Sequence, residues 1–111
     1  MNIERLEENG ITILVLSGRL DATQTASVDQ AFAGAFGEGA RRFVWDFQNL
    51  TYISSDGLRS VLQALKRLGA HDGRLAICAP SPLVLEVFEI SGFKSLLTIA
   101  TDRPAAVRAL S

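Results

Sequence analysis

The sequence contains few of the residues from which metal and thiol sites are built. It holds one cysteine, Cys78, which excludes an internal disulfide and fits a reducing compartment. Because Cys78 lies in an apolar run, we predict a buried, inert thiol rather than a nucleophile. One cysteine and one histidine cannot build a usual zinc site, so no metal is expected. His71 lies in a turn between two glycines, which disfavours a Ser-His-Asp triad or a Cys–His pair.

Strong net charge and long hydrophobic runs are also absent. The formal net charge is −1 without a basic stripe, so direct binding to nucleic acid is not expected. No apolar run approaches the roughly 18 residues of a membrane span, and residues 1–10 lack a signal-peptide core. We therefore expect a cytoplasmic protein without membrane insertion. No glycine-rich phosphate loop is present, and no cofactor is expected.

The distribution of apolar residues predicts one α/β domain over residues 1–111. Strands over 3–7 and 11–16 flank Asn9-Gly10, a strong two-residue hairpin signal. Asp21 with Gln24 resembles a capping box at the start of a first helix, and strand 43–47 is followed by a polar joint over 48–51. The later predicted elements are a second helix, a strand over 74–79, a helix from Pro82, a strand over 96–99 and a short final helix. This order predicts a mixed sheet of four to five strands, with its later strands parallel and helices packed against it.

The stretch 42–69 carries the main functional signal. Leu58, Val61, Leu62, Leu65 and Leu68 recur at helical spacing and predict an amphipathic helix. The preceding residues predict its beginning, with Ser54 as the N-cap, Asp56 in the first turn and the Ser55 side chain pointing outward. A helix N-terminus also holds phosphate well. The serine pair is therefore either a helix start signal only or an acceptor for a phosphoryl group.

Several carboxylates lie near predicted strand ends. Because functional groups gather at the carboxyl edge of such sheets, we expect Asp21, Asp46 and residues 54–56 to share one edge. A phosphoacceptor receiver domain would also need an acidic pair after the first strand and a lysine after the fifth, and neither is present. Nothing supplies a second shell or substrate pocket for paired-carboxylate catalysis, so we predict that the protein is not an enzyme.

Three motifs, taken in order, resemble a known family. They are Gly-Arg-Leu-Asp at 18–21, Val-Trp-Asp-Phe at 44–47 and Tyr-Ile-Ser-Ser-Asp-Gly-Leu at 52–58. With the residues at 78–82 and 87–92, this pattern resembles the STAS-domain family over almost the whole chain. Stand-alone bacterial members of that family are anti-sigma factor antagonists, so the resemblance implies the STAS fold and control of transcription.

The resemblance implies a partner-switching cycle. A serine/threonine kinase that is also an anti-sigma factor phosphorylates the antagonist, and a PP2C-type phosphatase removes the phosphate. The unphosphorylated antagonist binds the kinase and releases the sigma factor. The family motif Asp-Ser-Ser/Thr-Gly-Leu places the acceptor two positions before its glycine, which is Ser55 here. The chain departs from that motif at the two neighbouring positions, because Ser54 replaces the usual aspartate and Asp56 occupies the second hydroxyl position.

The resemblance also implies a partner-binding surface around the acceptor. The residues expected on it are Asp21, Ser54, Ser55, Asp56, Gly57, Arg59 and Gln63. For Arg59 and Gln63 the alternative is an ordinary solvated helix surface. Two other functions stay open for the whole chain: a partner-switching pathway without a sigma factor, and a cytosolic subunit of a membrane transporter, since STAS domains also accompany transporters.

Overall fold

The computed structural model describes residues 1–111 and contains one five-stranded mixed sheet with helices on both faces. The strands are β1 (Asn2–Glu8), β2 (Ile11–Leu20), β3 (Arg42–Ile53), β4 (Arg74–Cys78) and β5 (Thr98–Ala100). The helices are α1 (Thr25–Gly37), α2 (Ser55–Gly69), α3 (Pro82–Ile90) and α4 (Arg103–Leu110). Spatial order follows chain order, with β1 antiparallel to β2 and every later pair parallel. The predicted α/β class and mixed sheet are confirmed.

The β1–β2 hairpin follows from its turn residues. Asn9 and Gly10 both have positive φ, at 54° and 75°, as a two-residue turn of the hairpin type requires. The turn sets Glu8 opposite Ile11 and Asn2 opposite Ser17. β2 therefore lies between β1 and β3. This position explains why residues 11–16 are all buried.

Alternation along β3 divides the core into two layers. Phe43, Trp45 and Phe47 pack in a cluster with residues of α1, α2 and α3, whereas Val44 belongs to a second cluster with residues of α4. Successive side chains of a strand point to opposite faces, so both faces of β3 are buried. The larger cluster is the one on which α2 rests, and it fixes the position of that helix.

β3 is longer than the sequence pattern predicts. Residues 48–51 do not form the expected polar joint. They continue the strand, which ends at Ile53, so that part of the prediction is wrong. Irregularities in the β2–β3 register, between Val15 and Ser17 and between Gly18 and Arg19, let β3 carry extra residues. Residues 48 and 49 are exposed there, while Leu50 and Ile53 remain in the core.

The beginning of α1 and the place of β5 also differ from the prediction. α1 begins at Thr25 without a side-chain cap, so the expected capping box at Asp21 is wrong. Asp21 Oδ1 instead accepts hydrogen bonds from the backbone N–H and hydroxyl of Thr23, which forms a turn before the helix. The fifth strand lies at Thr98–Ala100 rather than 96–99, because Lys94–Leu96 forms a short 3₁₀ turn.

Candidate functional site

The carboxyl ends of β2 and β3 meet at the beginning of α2. Leu20 and Ile53 are paired in register, and the Ser54 N–H donates to the Leu20 carbonyl at 2.9 Å. Asp21 follows Leu20 directly, so it lies beside the serine pair as expected. Gly57 packs closely against the ends of both strands. A Cβ at this position would lie 2.6 Å from the Leu20 carbonyl oxygen and 2.9 Å from Ile53 Cγ1, so only glycine allows this approach.

The two serines have different environments. Ser54 is the N-cap of α2, where its Oγ accepts a hydrogen bond from the Gly57 N–H at 3.2 Å. Ser55 is the first residue of the helix and is exposed. Asp56 lies in the first turn, where a negative charge interacts favourably with the helix dipole. The predicted cap, first-turn acid and exposed hydroxyl are all present.

Opposite charges are interleaved around Ser55. Arg59 Nη1 lies 3.4 Å from Asp56 Oδ1, one turn along α2. Arg19 Nε lies 4.0 Å from Asp21 Oδ2. The pKa of Asp21 is lowered, first by the hydrogen bonds from Thr23 and to a lesser degree by Arg19. Both carboxylates are therefore matched by an exposed cation that a partner or a phosphate could draw away.

Asp21 and residues 54–57 lie around the beginning of α2, whereas Gln63, two turns further along the helix, also lines a cavity between α1 and α2. Arg59 and Gln63 are both exposed on α2. Asp46 does not join them, because β3 continues past it to Ile53, and the expectation of a shared edge is wrong for this residue. Asp46 is buried among the residues near α4, where its Oδ2 accepts a hydrogen bond from Arg103 Nε at 3.0 Å.

Arg19 and Tyr52 belong to the surface beside the site and were not singled out from the sequence. They are paired in register on β2 and β3, and the Arg19 guanidinium carbon lies 4.3 Å from the centroid of the Tyr52 ring. The sequence signal that could have identified them is the two-residue alternation of side chains along a strand. Each residue immediately precedes a buried apolar strand end, Leu20 or Ile53, and must therefore point to the other face.

The single histidine of the chain lies away from the serine pair. His71 lies beyond the opposite end of α2, a helix of 15 residues and therefore about 22 Å long. Its Nδ1 is 2.9 Å from the Arg67 carbonyl oxygen. No group of three or more His, Cys, Asp or Glu side chains is placed to hold a metal ion. None of the helices is both long and apolar enough to cross a membrane.

Comparison with known proteins gives the family. The STAS domain matches residues 2–106. A Bordetella bronchiseptica protein named as an anti-sigma factor antagonist, BtrV, is 41% identical over 101 residues, covering 91% of this chain and 87% of its own. The solved structure of the unphosphorylated anti-sigma factor antagonist SpoIIAA has a TM-score of 0.82 at 27% identity, covering 97% and 96% of the two chains. The phosphorylated form of SpoIIAA from Bacillus has a TM-score of 0.75 at 26% identity, covering 97% and 99%. The chain therefore belongs to the STAS domain family.

Proposed function

We propose that this protein is an anti-sigma factor antagonist whose binding is controlled by phosphorylation of Ser55. In the unphosphorylated state it binds a serine/threonine kinase anti-sigma factor and thereby releases a sigma factor. A PP2C-type phosphatase restores that state. The protein acts in the cytoplasm as a binding module and performs no catalysis. The observation that carries the proposal is the exposed hydroxyl of Ser55 at the beginning of α2, in a chain whose relatives are named as antagonists.

The difference between the two serines supports Ser55 as the acceptor. Ser54 Oγ is engaged by the Gly57 N–H, and modifying it would disturb the cap of α2. Ser55 is an exposed residue, and the neighbouring backbone N–H groups lack intrahelical acceptors. A phosphate there interacts favourably with the helix dipole. Phosphorylation at Ser55 is therefore compatible with the fold, and the relative SpoIIAA is known in both an unphosphorylated and a phosphorylated form.

A phosphate on Ser55 would weaken binding at the interface with the partner protein. It adds about 1.5 to 2 negative charges next to Asp21 and Asp56. Arg19 and Arg59 already pair with these carboxylates, so they offset the new charge only in part. A partner that docks over residues 54–57, Asp21, Arg59 and Gln63 would have to remove water from the phosphate. A penalty of about 3 kcal/mol weakens binding more than a hundredfold.

The proposal is tested by intact mass spectrometry after incubation with ATP and candidate serine/threonine kinase anti-sigma factors. We expect the wild-type chain to gain one phosphoryl group, Ser55→Ala to gain none, and the matched control Ser54→Ala to gain one. Phosphate on Ser54, or unchanged phosphorylation of Ser55→Ala, would contradict Ser55 as the acceptor.

A further inference from the structure

Arg59 lies on the same side of α2 as Ser55. The two residues are four positions apart, and residues at this spacing are neighbours on the surface of a helix. The Arg59 side chain also extends towards the beginning of the helix, because its Nη1 lies 3.4 Å from Oδ1 of Asp56 in the first turn. Its guanidinium can therefore reach a group added to Ser55 by rotation of the side chain alone.

The ion pair between Arg59 and Asp56 is easily exchanged. The two side chains are 67% and 42% exposed, and ion pairs in such positions stabilise little because water screens them. A phosphate on serine carries about 1.5 to 2 negative charges and three acceptor oxygens, whereas a carboxylate carries one charge and two oxygens. The order along the helix is also favourable, since the negative group precedes the positive one by four residues. A phosphate on Ser55 therefore competes effectively with Asp56 for Arg59.

Arg19, the other arginine beside the site, is less available. Its guanidinium carbon lies 4.3 Å from the centroid of the Tyr52 ring, and its Nε lies 4.0 Å from Asp21 Oδ2. Moving it to a phosphate would break a cation–π contact as well as an ion pair. The Arg59 guanidinium does not stack on an aromatic ring. Of the two arginines, Arg59 is therefore the one that is free to move.

We infer that Arg59 changes partner when Ser55 is phosphorylated, leaving the Asp56 carboxylate and pairing with the phosphate. Asp56 stays in the first turn of α2, where the helix dipole still favours its negative charge. The inference rests on the proposed function and adds a regulatory step to it. Because Arg59 belongs to the expected partner-binding surface, phosphorylation takes a cation from that surface in the same step that adds negative charge.

The test uses protein in which phosphoserine is installed at position 55 during synthesis of the chain, so that no kinase is needed. Phosphorus NMR at low ionic strength then measures the second pKa of the phosphate, which is about 6 in an ordinary phosphoserine. We expect this pKa to be higher by about 0.2 to 0.4 in Arg59→Gln than in the phosphorylated wild type, because one charge pair at four-residue spacing is lost. Asp21, Asp56 and Arg19 act on the phosphate in both proteins, so the difference isolates Arg59.

Arg67→Gln is the matched control, because Arg67 lies on the same helix twelve residues, or about 18 Å, beyond Ser55. It should leave the phosphate pKa unchanged. The dispersion of the backbone amide cross-peaks confirms that each variant is folded. Equal pKa values for Arg59→Gln and the phosphorylated wild type would overturn the inference, whether or not a kinase modifies Ser55. Failure of every candidate kinase to modify Ser55 would count against the proposed function alone.

Asp56→Asn tests the exchange itself. In the phosphorylated protein this substitution removes a negative charge and also releases Arg59, so it should lower the phosphate pKa. The decrease should be larger in the presence of Arg59 than in the Arg59→Gln background, where no arginine is released. Equal decreases in the two backgrounds would show that Asp56 and the phosphate do not share Arg59, and would overturn the inference.

Discussion

At the scale of single residues, Gly57 determines how closely α2 approaches the ends of β2 and β3. It is buried, and its missing side chain lets the helix begin directly against the Leu20 carbonyl. The same contact holds Ser54 in its capping position and leaves Ser55 outside. The position of the Ser55 hydroxyl therefore depends on a residue that carries no functional group.

We predict that Gly57→Ala destabilises the protein by about 1 to 3 kcal/mol. An added Cβ would meet a backbone oxygen at 2.6 Å, and the helix would have to shift. Gly34→Ala in α1 is the matched control, because a Cβ there meets nothing within 4 Å. It should stabilise the protein by about 0.5 to 1 kcal/mol. Urea unfolding measures both values, and equal effects of the two substitutions would contradict the packing described for Gly57.

The Cys78 thiol makes stability depend on pH. Burial raises its pKa from 9.0 to about 12, and the nearby Asp46 carboxylate adds to the effect. Above about pH 9 the unfolded thiol loses its proton while the folded thiol keeps it. The free energy of unfolding should therefore fall with rising pH, by up to about 1.4 kcal/mol per pH unit from this group.

Comparison with Cys78→Ala isolates that contribution, because all other titrating groups are shared. Urea unfolding of both proteins between about pH 8 and pH 10.5 should show a steeper loss of stability in the wild type. Parallel curves would mean that the folded thiol titrates normally.

At the scale of elements, one buried ion pair joins α4 to the centre of the sheet. Asp46 Oδ2 accepts from Arg103 Nε at 3.0 Å, and Oδ1 accepts from the Gln48 N–H at 2.9 Å. The Asp46 side chain is only 2% exposed, so the cation is needed to compensate its lost hydration. The pair explains how β3 tolerates a carboxylate between Trp45 and Phe47.

We predict that Arg103→Met destabilises the protein by about 3 kcal/mol, because it leaves the Asp46 carboxylate buried without a cation. Arg108→Met is the matched control: Arg108 is an exposed arginine on the same helix and should change stability by less than about 0.5 kcal/mol. Both are measured by urea unfolding. Equal free energies of unfolding for the two variants would contradict a stabilising role of the ion pair.

The elements that sequence could predict are those fixed by local chemistry. Ser54 and Asp56 marked the beginning of α2, and Asn9-Gly10 marked the hairpin, because caps and tight turns need only neighbouring residues. The extension of β3 depends instead on its pairing with β2, which residues 48–51 do not encode locally. The Asp21 carboxylate likewise accepts from Thr23 and does not cap a helix. The Asp46 carboxylate accepts a hydrogen bond from Arg103, which lies 57 residues away in the sequence. The structure at these positions depends on strand pairing, hydrogen bonding and charge compensation, which the local sequence pattern does not reveal.

At the scale of the whole molecule, the fold separates the Ser55 hydroxyl from the core. The apolar clusters lie against the two faces of the sheet, whereas Ser55 lies at the rim where β2, β3 and α2 meet. Adding charge at such a position changes the surface and leaves packing intact. The proposed switch therefore needs no conformational change, since it acts on the partner's desolvation of the site.

The most direct test is calorimetric titration of the cognate kinase anti-sigma factor with the unphosphorylated and the Ser55-phosphorylated protein. We predict more than hundredfold weaker binding after phosphorylation, because about 3 kcal/mol of interface energy is lost. Ser55→Ala should bind as tightly as the unphosphorylated wild type, and Ser55→Asp should bind poorly. Equal affinity of the phosphorylated and unphosphorylated proteins would contradict a switch at Ser55.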